Sequence, residues 1–234
     1  MCVIICGGPA RPSLEQLLAC EQRNPDGGGL AWATPSGVSF RKGLTARQIH
    51  KILTGLPEET PFVAHFRYTT IGETLPGLCH PFVAGKASLA VSQDGVERAL
   101  FHNGTWSRWR SVLRATPGRK PQGAMSDTRA IAWMLGRIGE PILDEIDCKF
   151  AVIDEQTIRV YPSTLHGWHA VDGCLFSNLR WQSRLSAPPS LPKRKKKAAK
   201  KKATKKTKTK TKASASRKAT TEPQPDAPRQ LFQR

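Results

Sequence analysis

The stretch NPDGGGLAWATPSGVSFR, Asn24 to Arg41, decides how this chain folds. Asn24-Pro25-Asp26-Gly27-Gly28-Gly29 is a dense turn signal, because Pro and Gly punctuate and Asn and Asp close tight bends. It feeds the apolar run Leu30-Ala31-Trp32-Ala33, and Gly37–Arg41 follows as its hairpin partner. Outward from this hairpin the theme repeats. Phe150–Asp154 and Ile158–Tyr161 read as a second hairpin. Val3-Ile4-Ile5 opens the chain as a buried strand, and Phe62–Tyr68 alternates as a strand should. Leu89–Ser92 and Ala99–His102 are two further strands with a polar loop between them, and Cys174–Phe176 is the last.

Helices sit between these groups. Ser13 with Gln16, and Thr45 with Gln48, stand at capping-box spacing; the second helix runs through about Leu53. Trp106–Leu113 and Ser126–Ile138 have helical spacing, with Ser126 as the N-cap. Strands grouped as hairpins predict an α+β layered fold with antiparallel sheet rather than a doubly wound one.

The 234 residues carry 37 Lys and Arg against 18 Asp and Glu, a formal charge of +19 that is unevenly spread. Residues 193–234 hold 17 of the basic and two of the acidic residues, hence +15, and the first 192 residues carry +4. The body, residues 1–186, therefore reads as an ordinary folded domain. Residues 187–234 read as a tail: the linker Ala187-Pro188-Pro189-Ser190-Leu191-Pro192, then a lysine-rich run with almost no apolar bulk. Such a segment buries too little to offset its chain entropy, so disorder is expected. No run of about eighteen apolar residues exists, which excludes a membrane span. The opening MCVIICGGPARPS lacks a basic, then apolar, secretory pattern, so a cytoplasmic or nucleoid-associated protein is expected.

The six cysteines are expected as reduced thiols, and no CxxC pair suggests zinc; neither a metal nor a cofactor is expected. GxSxG, HExxH and GxGxxG are missing, and Gly85-Lys86-Ala87-Ser88 is not a phosphate loop. Four short stretches remain. Met1-Cys2 permits removal of the initiator, after which Cys2 would carry a thiol and an α-amine of pKa about 7.7–8, nucleophile and base on one residue. In HFRYTTIG, Arg67 offers a fork for a carboxylate. In FHNG, the Asn103 amide and the Gly104 N–H lie side by side as donors to an oxyanion. Asp127 complements a helix N-terminus. Singly, each has an ordinary structural explanation as an early cysteine, a polar strand face, a turn or a cap.

Together and in this order the stretches MC, NPDGGGLAWA, HFRYTTIGE, CHPF, LFHNGTW and SDT resemble the class II glutamine amidotransferase domain, an N-terminal nucleophile hydrolase. The resemblance spans roughly residues 2–180. It implies a four-layer α/β/β/α sandwich and glutamine as substrate. It further implies Cys2 as nucleophile with its own α-amine moving the proton, and Asn103 and Gly104 as the oxyanion hole. Arg67, with Thr70 in the same motif, would bind the α-carboxylate, and Asp127 the α-ammonium. The family's arginine motif runs close to HTRWATHG. Here Phe66, Tyr68, Thr69 and Ile71 depart from it, while Thr70 and Gly72 keep their places.

No synthase domain fits after residue 186, so ammonia would pass to a synthase on a separate chain or simply be released. The alternative is an inactive scaffold whose working part is the tail. Lys195, Lys196, Lys197, Lys200, Lys201, Lys202, Lys205 and Lys206 give that tail the charge density to bind nucleic acid by releasing counterions. The run from Lys193 to Arg229 has no aromatic residue on which bases could stack.

Overall fold

The computed structural model describes residues 2–162 and 166–185. By its contacts the chain divides into units Met1–Leu191 and Pro192–Arg234, and the basic tail lies outside the described residues. The described residues form eleven strands and four α-helices.

In chain order these are β1 (Val3–Gly7), α1 (Leu14–Arg23), β2 (Gly28–Thr34), β3 (Gly37–Leu44), α2 (Ala46–Gly55) and β4 (Phe62–Phe66). Then come β5 (Phe82–Val83), β6 (Ser92–Val96), β7 (Ala99–Asn103), α3 (Trp109–Ala115) and α4 (Asp127–Ile138). The last are β8 (Lys149–Ile153), β9 (Ile158–Tyr161), β10 (His169–Val171) and β11 (Cys174–Phe176). One sheet has the order β10-β11-β1-β4-β2-β3-β6 and the other β5-β7-β8-β9. Every pairing is antiparallel.

Side-chain alternation stacks these elements in four layers. On β1, Val3 and Ile5 pack with Leu17, Ile49 and Leu53 of α1 and α2. Ile4 and Cys6 point the other way, into a core between the sheets that includes Val63, Phe101 and Ala151. On the second sheet, Leu100, Phe150 and Val152 face α4 through Ile131 and Leu135. The order is therefore helices, sheet, sheet, helices, with the alternate residues of each central strand serving two cores.

Local chemistry sets the ends of the elements. Both capping boxes form: Ser13 N–H donates to Gln16 Oε1 at 2.8 Å and Gln16 N–H to Ser13 Oγ at 3.1 Å, with Thr45 and Gln48 repeating the pattern. Such a cap contributes about 1 kcal/mol. The glycine run has a structural reason. A β-carbon on Gly29 would collide with the carbonyl oxygen of His80, so only glycine lets the His80 segment cross β2.

Four differences from the sequence reading have physical causes. The expected strand at Leu89–Ser92 lies instead at Ser92–Val96. Leu89 anchors a loop on the α4 side of the second sheet, and the polar residues after it form an edge strand against β3. Helix α3 starts at Trp109 rather than Trp106, whose N–H is bonded to Asp127. Strand β4 ends at Phe66, although Arg67 N–H still donates to Gly27 O at 2.9 Å. Strands β5 and β10, two and three residues long, are too short to leave a periodic signal.

Candidate active site

Cys2 immediately precedes β1, and its alternation turns it toward the space between the sheets. Its sulfur sits against the backbone where β4 has ended: Tyr68 N–H donates to Sγ at 3.3 Å, and the thiol faces Tyr68 O at 3.5 Å. Two residues after β11 clamp this segment. Ile4 N–H donates to Ser177 Oγ at 2.8 Å, and Asn178 Nδ2 donates to the Cys2 carbonyl at 2.8 Å. Burial pushes the thiol pKa up, against the pull of the Tyr68 amide and the Arg67 charge, so the resting group is a neutral thiol that needs a base.

Arg67 is 4% exposed, and its guanidinium donates to the carbonyls of Glu73 at 2.8 Å and Ile71 at 3.2 Å. It forms no ion pair among the described residues, and two carbonyls leave part of its five-donor fork unused. Thr70, on the same loop, shares a hydroxyl hydrogen bond of 3.0 Å with Thr105. Asp127 opens α4 behind the N-cap Ser126, whose Oγ accepts from Arg129 N–H. Its oxygens accept from Thr128 N–H at 2.9 Å and Trp106 N–H at 3.0 Å, and it too has no ion pair among the described residues.

Cys2, Arg67, Thr70, Gly104 and Asp127 line one small cavity. A thiol, an unpaired cation and an unpaired anion thus face the same space, a set suited to a small zwitterion. A larger, more open depression between Val112 and Ile138 lacks such convergent polar groups.

Asn103, the last residue of β7, is not in that lining; it borders an adjoining cavity that also touches Gly104. Its Nδ2 lies 2.8 Å from Ser177 Oγ, and its Oδ1 is buried without a partner. Ser177 Oγ already accepts the Ile4 amide, so with Nδ2 as donor the serine hydrogen and Oδ1 are both left over. Because the two ends of a primary amide are nearly isosteric, the opposite orientation resolves both at once. The hydroxyl then donates to Oδ1, and Nδ2 becomes free.

The cavity is also lined by groups that no sequence motif singled out. His80, His102 and Thr128 line it, and His65 lies behind His80 at 2.9 Å. All three histidines stand inside the quoted motifs, but no spacing links positions 65, 80, 102 and 128. Ser177 and Asn178 gave no signal either. The tail lysines, Lys195 to Lys206, lie outside the described residues.

The sequence matches no family model and no curated protein. Among solved structures it is similar to glutamine phosphoribosylpyrophosphate amidotransferase from B. subtilis, solved with ADP and GMP. The TM-score is 0.50 at 18% identity, over 75% of this chain and 41% of that one. The fold is shared. This chain thus spans less than half of that protein's length, and its mixed α+β architecture is similar to part of it. No helix among the described residues is long and apolar enough to cross a membrane.

Proposed function

We propose that the chain hydrolyses the side-chain amide of glutamine through Cys2, releasing glutamate and ammonia. The observation that carries this reading is the shared cavity of Cys2, Arg67 and Asp127. Arg67 takes the α-carboxylate and Asp127 the α-ammonium, with Thr70 beside the arginine, which points the amide carbon at the sulfur. Once the initiator methionine is removed, the α-amine of Cys2 takes the thiol proton as Sγ bonds to the amide carbon. The free Asn103 Nδ2 and the Gly104 N–H receive the oxyanion. The protonated amine then gives its proton to the leaving nitrogen, the C–N bond breaks, and ammonia departs. Water, deprotonated by the same amine, attacks the thioester carbon and returns the thiol and glutamate. The ammonia is released or handed to a synthase on another chain.

Glutamate release is measured for the Met-processed protein, for Cys2→Ala, and for a variant extended before Cys2. Release by the first alone is expected. Equal release by all three would remove the reading, since a blocked α-amine cannot serve as base.

The tail, with Lys195–Lys197, Lys200–Lys202, Lys205 and Lys206, tethers this activity to nucleic acid; its charge of +15 supports that role. Binding to duplex DNA that weakens with salt and disappears on deletion of residues 187–234 is expected. Affinity unchanged by the deletion would overturn the tether.

A further inference from the structure

Cys2 stands one residue ahead of β1 and takes no part in its ladder with β4, whose first pair is Val3 with Phe66. Its carbonyl has one partner among the described residues, Asn178 Nδ2 at 2.8 Å. Its sulfur is met by Tyr68, whose N–H donates at 3.3 Å. Chemistry decides which way the Asn178 amide points. One end faces the Cys2 carbonyl, which can only accept, and the other lies 3.1 Å from the Arg180 N–H, which can only donate. The end at Cys2 is therefore the NH2 and the end at Arg180 the oxygen.

Asn178 is itself anchored. It lies two residues after β11, and the Trp181 indole N–H donates to its carbonyl at 3.1 Å. Trp181 is 1% exposed and packs on Phe176 of β11, with ring centroids 4.8 Å apart. The turn is thus rooted in the core that the first sheet shares with α1 and α2. Asn178 does not line the cavity that Cys2 shares with Arg67 and Asp127. Its side chain reaches that site through the Cys2 carbonyl.

We propose that Asn178 is the positioning residue for the α-amine of Cys2, holding it where it takes the thiol proton. This rests on Cys2 being the nucleophile of glutamine hydrolysis. The Cys2 α-carbon bears a carbonyl carbon, a β-carbon and the nitrogen. Asn178 sets the carbonyl and Tyr68 the sulfur on the β-carbon, so tetrahedral geometry leaves the nitrogen one place. Without the Asn178 bond, the Cys2 backbone is free to turn beneath its tethered sulfur. That turn is a rotation about the Cα–Cβ bond, which sets how near the amine lies to the thiol. Asn178 therefore acts on the chemical step and not on the binding of glutamine by Arg67 and Asp127.

The test uses the full, Met-processed chain with L-glutamine. Asn178→Asp has nearly the same shape. It keeps the oxygen that accepts from Arg180 and replaces the donor with a second oxygen facing the Cys2 carbonyl. Its kcat is expected to fall about tenfold to 100-fold, since a general base is worth about 100-fold or more and a misplacement of about 1 Å costs about 100-fold. KM should stay within about twofold, because the groups that bind the amino acid are untouched. Asn178→Ala, which is neutral, should show the same split and so separates the lost donor from the added charge. Circular dichroism on heating follows the fold of both. A parental kcat in Asn178→Asp would overturn the proposal alone. So would loss of folding in both variants, or a fall in kcat matched by a rise in KM, either of which would make Asn178 a structural residue. A parent that releases no glutamate would overturn the hydrolysis reading and this proposal with it.

Discussion

Ser177→Ala removes one hydroxyl on which both the fold and the site depend. Its Oγ accepts the Ile4 amide at 2.8 Å and pairs with the Asn103 side chain at 2.8 Å, and the residue is fully buried. Losing it leaves a buried N–H and a buried amide without partners. Each orphaned group costs about 1–3 kcal/mol, so a loss of roughly 2–6 kcal/mol in unfolding free energy is expected. Urea unfolding of residues 1–186 measures it. The second consequence is kinetic. An unanchored Asn103 no longer presents Nδ2 to the oxyanion, and removal of one such donor lowers kcat by about 100-fold to 1,000-fold. Loosening rather than deleting the donor should lower kcat about tenfold to 100-fold with little change in KM, because the contact forms only in the transition state. Ser177→Thr, which restores the hydroxyl, should recover kcat. A Ser177→Ala protein with normal stability would refute the hydrogen-bond accounting, and one with normal kcat would refute the link to Asn103.

Three other outcomes follow from the same geometry. Gly29→Ala should yield little folded protein, since its β-carbon collides with the His80 carbonyl, whereas Gly8→Ala, with nothing within 4 Å, should melt within a degree or two of the parent; circular dichroism on heating compares them. Glutamine hydrolysis should fall as pH drops through the α-amine value of about 7.7–8, because the buried thiol is neutral and its base must be unprotonated; a pH–rate profile flat from 6 to 9 would count against the amine. Asp154 titrates at about 2: slight burial pushes it up, and the Arg159 hydrogen bond with the amides of Gln156 and Thr157 more than reverses this. With the folded value depressed, its contribution to stability is present above pH 4 and lost as pH falls toward 2, so Arg159→Met should flatten acid unfolding in that window.

Much of the fold can be read in short-range chemistry. The turn before β2, the two capping boxes, the apolar run of β1 and the alternation of β4 each depend on neighbours within a few residues, and all four helices can be traced from such signals. What escaped depends on partners far away. The polar segment Ser92–Val96 becomes a strand only because β3 offers it an edge, and β10 exists only against β11. The same division holds at the candidate site. Cys2, Arg67, Gly104 and Asp127 stand in short motifs and meet at one cavity. Ser177 matters through Asn103, 74 positions earlier, and hydrogen bonds join His65, His80, Thr128 and His102 from four separate segments. No local pattern encodes such pairings.

Intact mass spectrometry after incubation with a diazoketone analogue of glutamine tests the nucleophile most directly. One adduct is expected, on a chain that has lost its initiator, located at Cys2 and abolished by excess glutamine. A retained methionine, or an adduct on Cys79 or Cys148 in place of Cys2, would contradict the assignment.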